Sequence, residues 1–231
     1  MLGGQVGDAT LRLAPLESTT VALGHADLDV TCELAVREAI ERHTPDVIVN
    51  AAAYTAVDRA ESDAEGARLL NTGAPGLLAH AARNRGVRLI HLSTDFVFDG
   101  MSSTPYAPTA SPNPLSTYGR TKLEGEHAVL EVLGERAIIL RSSWIYHSRG
   151  QNFVRSMLRL MREKRAVRVV ADQIGTPTAA SSLARVIWKL VYRPDIGGVH
   201  HWSDSGVASW YDFAVAIAEE AEARGLISTG G

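Results

Sequence analysis

Four short apolar runs punctuate the chain: "TTVALG" at 19–24, "PDVIVNAAA" at 45–53, "VRLIHLSTDFVF" at 87–98 and "RAIILRSSWIY" at 136–146. They are short, and the longer ones are rich in Val and Ile, the pattern of strands buried on both faces. Between them apolar positions recur at helical spacing. "TCELAVREAIERH" predicts a helix with Thr31 as its N-cap, and "APGLLAHAARNRG" predicts one that closes on Gly86. Strand–helix alternation of this kind predicts an α/β fold built on a doubly wound parallel sheet, Rossmann-like in type. Ligands of such sheets bind outside the carboxyl ends of the strands, so chemistry is expected just after each run.

From about Gln151 the texture changes. Helical stretches "NFVRSMLRLMREKR" and "SSLARVIWKLVY" flank the loop "ADQIGTPTAA", and an extended piece, "GGVHHWSD", precedes a helix starting at Ser209. The expected organisation is a dinucleotide-binding domain over residues 1–150. Residues 151–231 then form part of a small C-terminal substrate lobe interleaved with it. No linker tract, repeat or low-complexity segment divides the two.

Composition narrows the function classes. Of 231 residues 45% are hydrophobic and 21% charged, which is ordinary for a soluble globular protein. A net charge of −3 without a basic run argues against nucleic acid as a partner. The single cysteine, Cys32, cannot form an intramolecular disulfide and fits a reducing, cytoplasmic setting. No apolar stretch approaches the ~20 residues of a membrane span, and no signal-peptide pattern opens the chain, so no membrane association is expected.

The strand ends carry the candidate chemistry. "MLGGQVG" holds Gly3, Gly4 and Gly7, the kind of loop that lets backbone amides approach a pyrophosphate, although only Met1 and Leu2 precede it. Ser93, Thr94 and Asp95 fall at the carboxyl half of the third run. Further on, "SPNPLSTYGRTKLEGE" sets Tyr118 four positions before Lys122, on one face of a predicted helix whose start suits Pro114. Such a pair alone is common on surface helices. With a hydroxyl at a strand end it matches the way a short-chain dehydrogenase/reductase builds its site. The ammonium is expected to lower the phenol from its ordinary value of about 10, letting Tyr118 exchange a proton with a substrate oxygen while a nicotinamide carries hydride. Adjacent histidines His200 and His201 point to opposite faces of a strand and make a poor chelate, so no metal site is expected. The acidic stretch "DRAESDAEG" suits a helix start, and Trp202 and Trp210 suit packing.

These stretches in this order resemble the dTDP-4-dehydrorhamnose reductase family, extended short-chain reductases of nucleotide-sugar biosynthesis. The likeness is carried by "GGQVG" (3–7), "PDVIVNAAAYTAVDRAES" (45–62), "LIHLSTDFVFDG" (89–100), "NPLSTYGRTKLEGE" (113–126), "ILRSSWIY" (139–146), "DQIGTPT" (172–178) and "SWYDFA" (209–214). The resemblance implies reduction of the C4 keto group of dTDP-4-dehydro-6-deoxy-L-mannose with NADPH or NADH, on a dTDP-sugar substrate, by a monomer or homodimer. It implies Thr94, Tyr118 and Lys122 as the catalytic residues. Gly4, Gln5, Val6, Asp29, Val30, Ala53, Tyr54 and Thr55, with Tyr118 and Lys122, are the implied cofactor contacts. Thr94, Asp95 and Trp144 are those implied for the sugar nucleotide. Gly24 stands where a carboxylate would favour NAD, and no arginine replaces it, so use of both cofactors is expected. Relative to the family, a strand before "GQVG" and a stretch beyond "GLISTGG" are expected to be lacking. The regulatory subunit of methionine adenosyltransferase resembles the same family and acts as a binding partner, and a truncated, inactive reductase is a third reading, so turnover, and not the Tyr–Lys pair, separates them.

Overall fold

The computed structural model describes residues 4–164 and 166–227. Its centre is a parallel sheet of β1 (Val47–Asn50), β2 (Arg88–Thr94), β3 (Ala137–Ser142) and β7 (Gly198–His201), in that order. The pairing sets Ile48 against Leu89, Ile90 against Ile138 and Ile139 against Val199. Every residue of β3 is buried, as expected of a strand covered on both faces. Alternate residues of β2 and β3 feed two layers. Leu89 and Ile139 pack with α2 (Glu33–His43), α5 (Ala74–Arg85) and α6 (Thr117–Leu133). Ile90, Ile138 and Leu140 pack with α1 (Gln5–Arg12) and α8 (Ala180–Val191) on the other face.

The helix ends follow local chemistry. Gly86, at φ 70°, closes α5, and Ser116 accepts the Gly119 amide to start α6. The acidic stretch supplies ties of the same kind. Asp63 caps α4 (Ala64–Arg68), which follows α3 (Val57–Ala60), and both carboxylate oxygens of Glu61 receive Thr117.

Three expectations are corrected. "TTVALG" forms no strand: Val21 and Leu23 are 50% and 41% exposed. Among the described residues the outer edge of β1 has no ladder partner, and an extended segment without one leaves its amides and carbonyls to water. The N-cap of α2 is Cys32, not Thr31, because the Thr31 amide and hydroxyl both bond the Asp29 carboxylate in the preceding turn. The run at 136–146 is broken after Ser142. Trp144 adopts φ 45°, a left-handed conformation uncommon for a bulky residue, and redirects the chain out of the sheet.

Beyond that kink lies the lobe. β4 (Ile145–Tyr146) pairs with β6 (Thr178–Ala179), and β5 (Ile174–Gly175) pairs with β8 (Ala208–Ser209). α7 (Phe153–Glu163) and α9 (Trp210–Ala223) share a cluster around Met157, Ala214 and Ile217. α9 starts with a full capping box, Ser209 with Asp212. α8 and β7 also follow residue 151, and they belong to the sheet and its cover.

Candidate active site

The carboxyl end of β2 runs straight into a short 3₁₀ turn, Asp95–Val97, opened by Thr94, whose hydroxyl accepts the Phe96 amide at 3.2 Å. Helix α6 lies across this turn at very short range. A Cβ on Gly119 would stand 2.2 Å from the Phe96 carbonyl oxygen, so only glycine lets the helix come so close. Tyr118, the residue before, is thereby pressed against the strand end, its ring edge-on to Phe96 at 5.5 Å.

The structure brings Thr94, Asp95, Tyr118 and Lys122 together. All four are largely buried, Tyr118 to 9% exposure and Lys122 to 2%. The expected lowering of the phenol by Lys122 is not found. Burial pushes Tyr118 up to about 12, the Thr94 hydroxyl works the other way, and the Asp95 charge adds to the rise. The Lys122 ammonium instead donates to the Leu92 carbonyl at 2.7 Å, and burial brings it down to about 8. Burial also raises Asp95 to about 6, against its bond from the Thr94 hydroxyl. The site therefore sets a protonated phenol beside a hydroxyl at neutral pH.

The expected cofactor residues divide. Gly4, at φ 135°, opens α1 beside Ala51, which follows β1: its built Cβ would lie 3.8 Å from the Ala51 carbonyl oxygen. Among the described residues no side chain caps this helix, so the first-turn amides of Gln5 and Val6 are available to an anion. Gln5 adds a buried Oε1 without a partner. These features fit a dinucleotide pyrophosphate. Gly3 lies outside the described residues. Ala53, Tyr54 and Thr55 follow β1, and Asn71 grips the Tyr54 backbone through both its amide and its carbonyl. Asn71 also donates to Thr121 beside Lys122, tying the two halves of the crevice together. Asp29 and Val30 sit in the turn before α2, with the Asp29 carboxylate occupied by Thr31.

Trp144 stands apart from this cluster in the lobe. Its indole stacks on Trp210 at 3.6 Å between centroids and 7° between planes. Gly175 makes room for it, since a Cβ there would lie 2.4 Å from Trp144 Cε2. Trp202, expected as a packing residue, is 40% exposed. His200 and His201 bond the Gly197 and Tyr106 carbonyls, the separate partners expected of neighbours on a strand.

A family model described as the RmlD substrate binding domain matches residues 2–229. The chain belongs to this family. Among its relatives, the dTDP-4-keto-6-deoxy-D-glucose reductase of Streptomyces niveus is 45% identical, covering 91% of this chain and 73% of its own. The dTDP-4-dehydrorhamnose reductase of Escherichia coli is 41% identical, covering 96% and 77%. The crystal structure of the Bacillus anthracis dTDP-4-dehydrorhamnose reductase in complex with NADP superposes with a TM-score of 0.92 at 34% identity, covering 96% of this chain and 78% of that one. Within this RmlD family member, sequence reasoning passed over Asn71, Glu126 and Arg141. Only Glu126 left a signal: it falls eight positions after Tyr118, on the same helical face.

Proposed function

We propose that this chain reduces the C4 keto group of dTDP-4-dehydro-6-deoxy-L-mannose to dTDP-L-rhamnose, with NADPH or NADH as reductant. The observation that carries the reading is the meeting of the Thr94 hydroxyl and the Tyr118 phenol at the carboxyl end of β2, with Lys122 one helical turn further on. Reductase names on its relatives favour turnover over a regulatory-subunit role. The reduced nicotinamide supplies hydride to the C4 carbon when bound. Gly4, Gln5 and Val6 would hold its pyrophosphate. Tyr118 donates the proton to the C4 oxygen as negative charge develops there. Thr94 hydrogen-bonds the same oxygen, and Lys122 steadies the nicotinamide ribose and the phenol's surroundings.

Asp95 and Trp144 are the proposed sugar contacts. Gly175→Ala displaces that indole. KM for the sugar nucleotide is then expected to rise about two- to tenfold, the equivalent of one aromatic contact worth ~0.5–1.5 kcal/mol. NADPH Kd stays at the parent value. A KM unmoved by Gly175→Ala removes Trp144 from the sugar site. The reaction itself is tested by incubating the protein with the keto sugar nucleotide and NADPH. Oxidation of NADPH with formation of dTDP-L-rhamnose supports the reading, and stoichiometric binding without turnover refutes it.

A further inference from the structure

Helix α6 carries a third polar side chain on the face that bears Tyr118 and Lys122. Glu126 follows Lys122 by four residues, so the three stack along one stripe of the helix. Glu126 is 1% exposed, and no step above uses it. Its Oε1 accepts from the Ser93 hydroxyl and from Arg141 Nε at 2.9 Å, and its Oε2 accepts from Arg141 Nη2 at 2.6 Å. Ser93 stands between Thr94 and Leu92, the residue whose carbonyl receives the Lys122 ammonium. Arg141 is held from its far side, with Cζ 5.2 Å from the Phe98 ring centroid and Nη1 3.4 Å from His201 Nε2. One carboxylate thus joins α6 to β2 and β3 at the level of the candidate chemistry.

Stability alone is a weak reason for such a pair, because apolar residues of similar volume are often as good or better in a core. We propose that Glu126 is a positioning residue of the reductase site. Through Ser93 and Arg141 it keeps α6 in register with the end of β2, and its negative charge favours the charged ammonium of Lys122 at the Leu92 carbonyl. The proposal rests on the reductase reading. Burial draws Lys122 down to about 8, and the charge of Glu126 is what opposes it.

The other groups around Lys122 titrate elsewhere. On α6, Tyr118 is pushed up to about 12. From β2 and its turn, His91 is driven well below its ordinary value by burial and the Lys122 charge, and Asp95 stands at about 6. His201 on β7 is lowered, chiefly by burial. Lys122 is therefore the group expected to lose its proton on the alkaline side.

The chain has three lysines, Lys122, Lys164 and Lys189, so the Lys122 Cε signal can be followed by NMR in the cofactor-free protein. Lys122→Met supplies the assignment. In Glu126→Gln the Lys122 midpoint is expected about one pH unit lower, and the alkaline fall of kcat moves with it. Glu126→Asp keeps the charge and retains the parent midpoint even where kcat drops. Glu126→Gln leaves the Arg141 charge buried against a neutral amide and can unfold. Glu126→Gln/Arg141→Gln then repeats the titration with both charges gone, and the same downward direction is expected. A parent midpoint in these charge-removed variants, or a fall in kcat equal at every pH, overturns the proposal and leaves Glu126 a structural ion pair. A parent protein without turnover refutes the reductase reading instead, while the NMR titration still decides the role of Glu126 toward Lys122.

Discussion

Tyr118→Phe is expected to lower kcat by roughly 10²–10⁴-fold, since it deletes the proton donor and leaves the ring in place. The fold tolerates the change. The ring edge on Phe96 at 5.5 Å is kept, and the Thr94 hydroxyl beside the phenol retains its bond to Asp95. NADPH affinity is expected to stay near the parent value, because the residues proposed for the pyrophosphate lie on α1 and Lys122 is unchanged. Lys122→Met loses both rate and affinity, because the same ammonium is assigned to the ribose. Steady-state kinetics with an NADPH titration separates the two variants. A Tyr118→Phe protein turning over near the parent rate would remove Tyr118 from the mechanism.

Arg141→Met is expected to be the most destabilising single substitution near the site. It strips the cation from a carboxylate that is 1% exposed and leaves it with the Ser93 hydroxyl alone. Removing one partner of a buried pair costs about 3–5 kcal/mol. At about 2–4 °C per kcal/mol for a domain of this size, Tm falls by about 6–20 °C. Glu126→Leu/Arg141→Met removes the stranded charge and is expected to recover most of the loss. It is not expected to restore the Lys122 midpoint, which separates the pair's contribution to stability from its effect on the lysine. Thermal melts of the two variants beside the parent decide the matter. An Arg141→Met melt within about 2 °C of the parent contradicts the burial of the pair, given costs of that size.

Much of the fold was legible because strands buried on both faces leave unbroken apolar runs. The runs at 45–53, 87–98 and 136–146 each contain a strand of the sheet, and the glycine after "AARNR" closes its helix. "TTVALG" misled because an apolar run records hydrophobicity, whereas a strand exists only where a neighbour completes its ladder. Thr31 misled for a related reason. A hydroxyl that suits an N-cap also suits the turn before it, and the Asp29 carboxylate competes for it successfully.

The sequence by itself determined which side chains share a helix face, and so the alignment of Tyr118, Lys122 and Glu126, because a 3.6-residue turn is local geometry. It likewise set Thr94 at a strand end. Only the tertiary structure decided what those groups meet and how they titrate. The Lys122 ammonium reaches the Leu92 carbonyl and not the phenol, and Tyr118 rises to about 12 where local reasoning had it fall. Trp144 gives one ring face to Trp210, which lies 66 positions along the chain. Asn71 and Arg141 acquire roles through partners on other elements. Burial and the placement of charges depend on elements distant in sequence, and desolvation outweighs the neighbouring charge once the crevice is closed by packing.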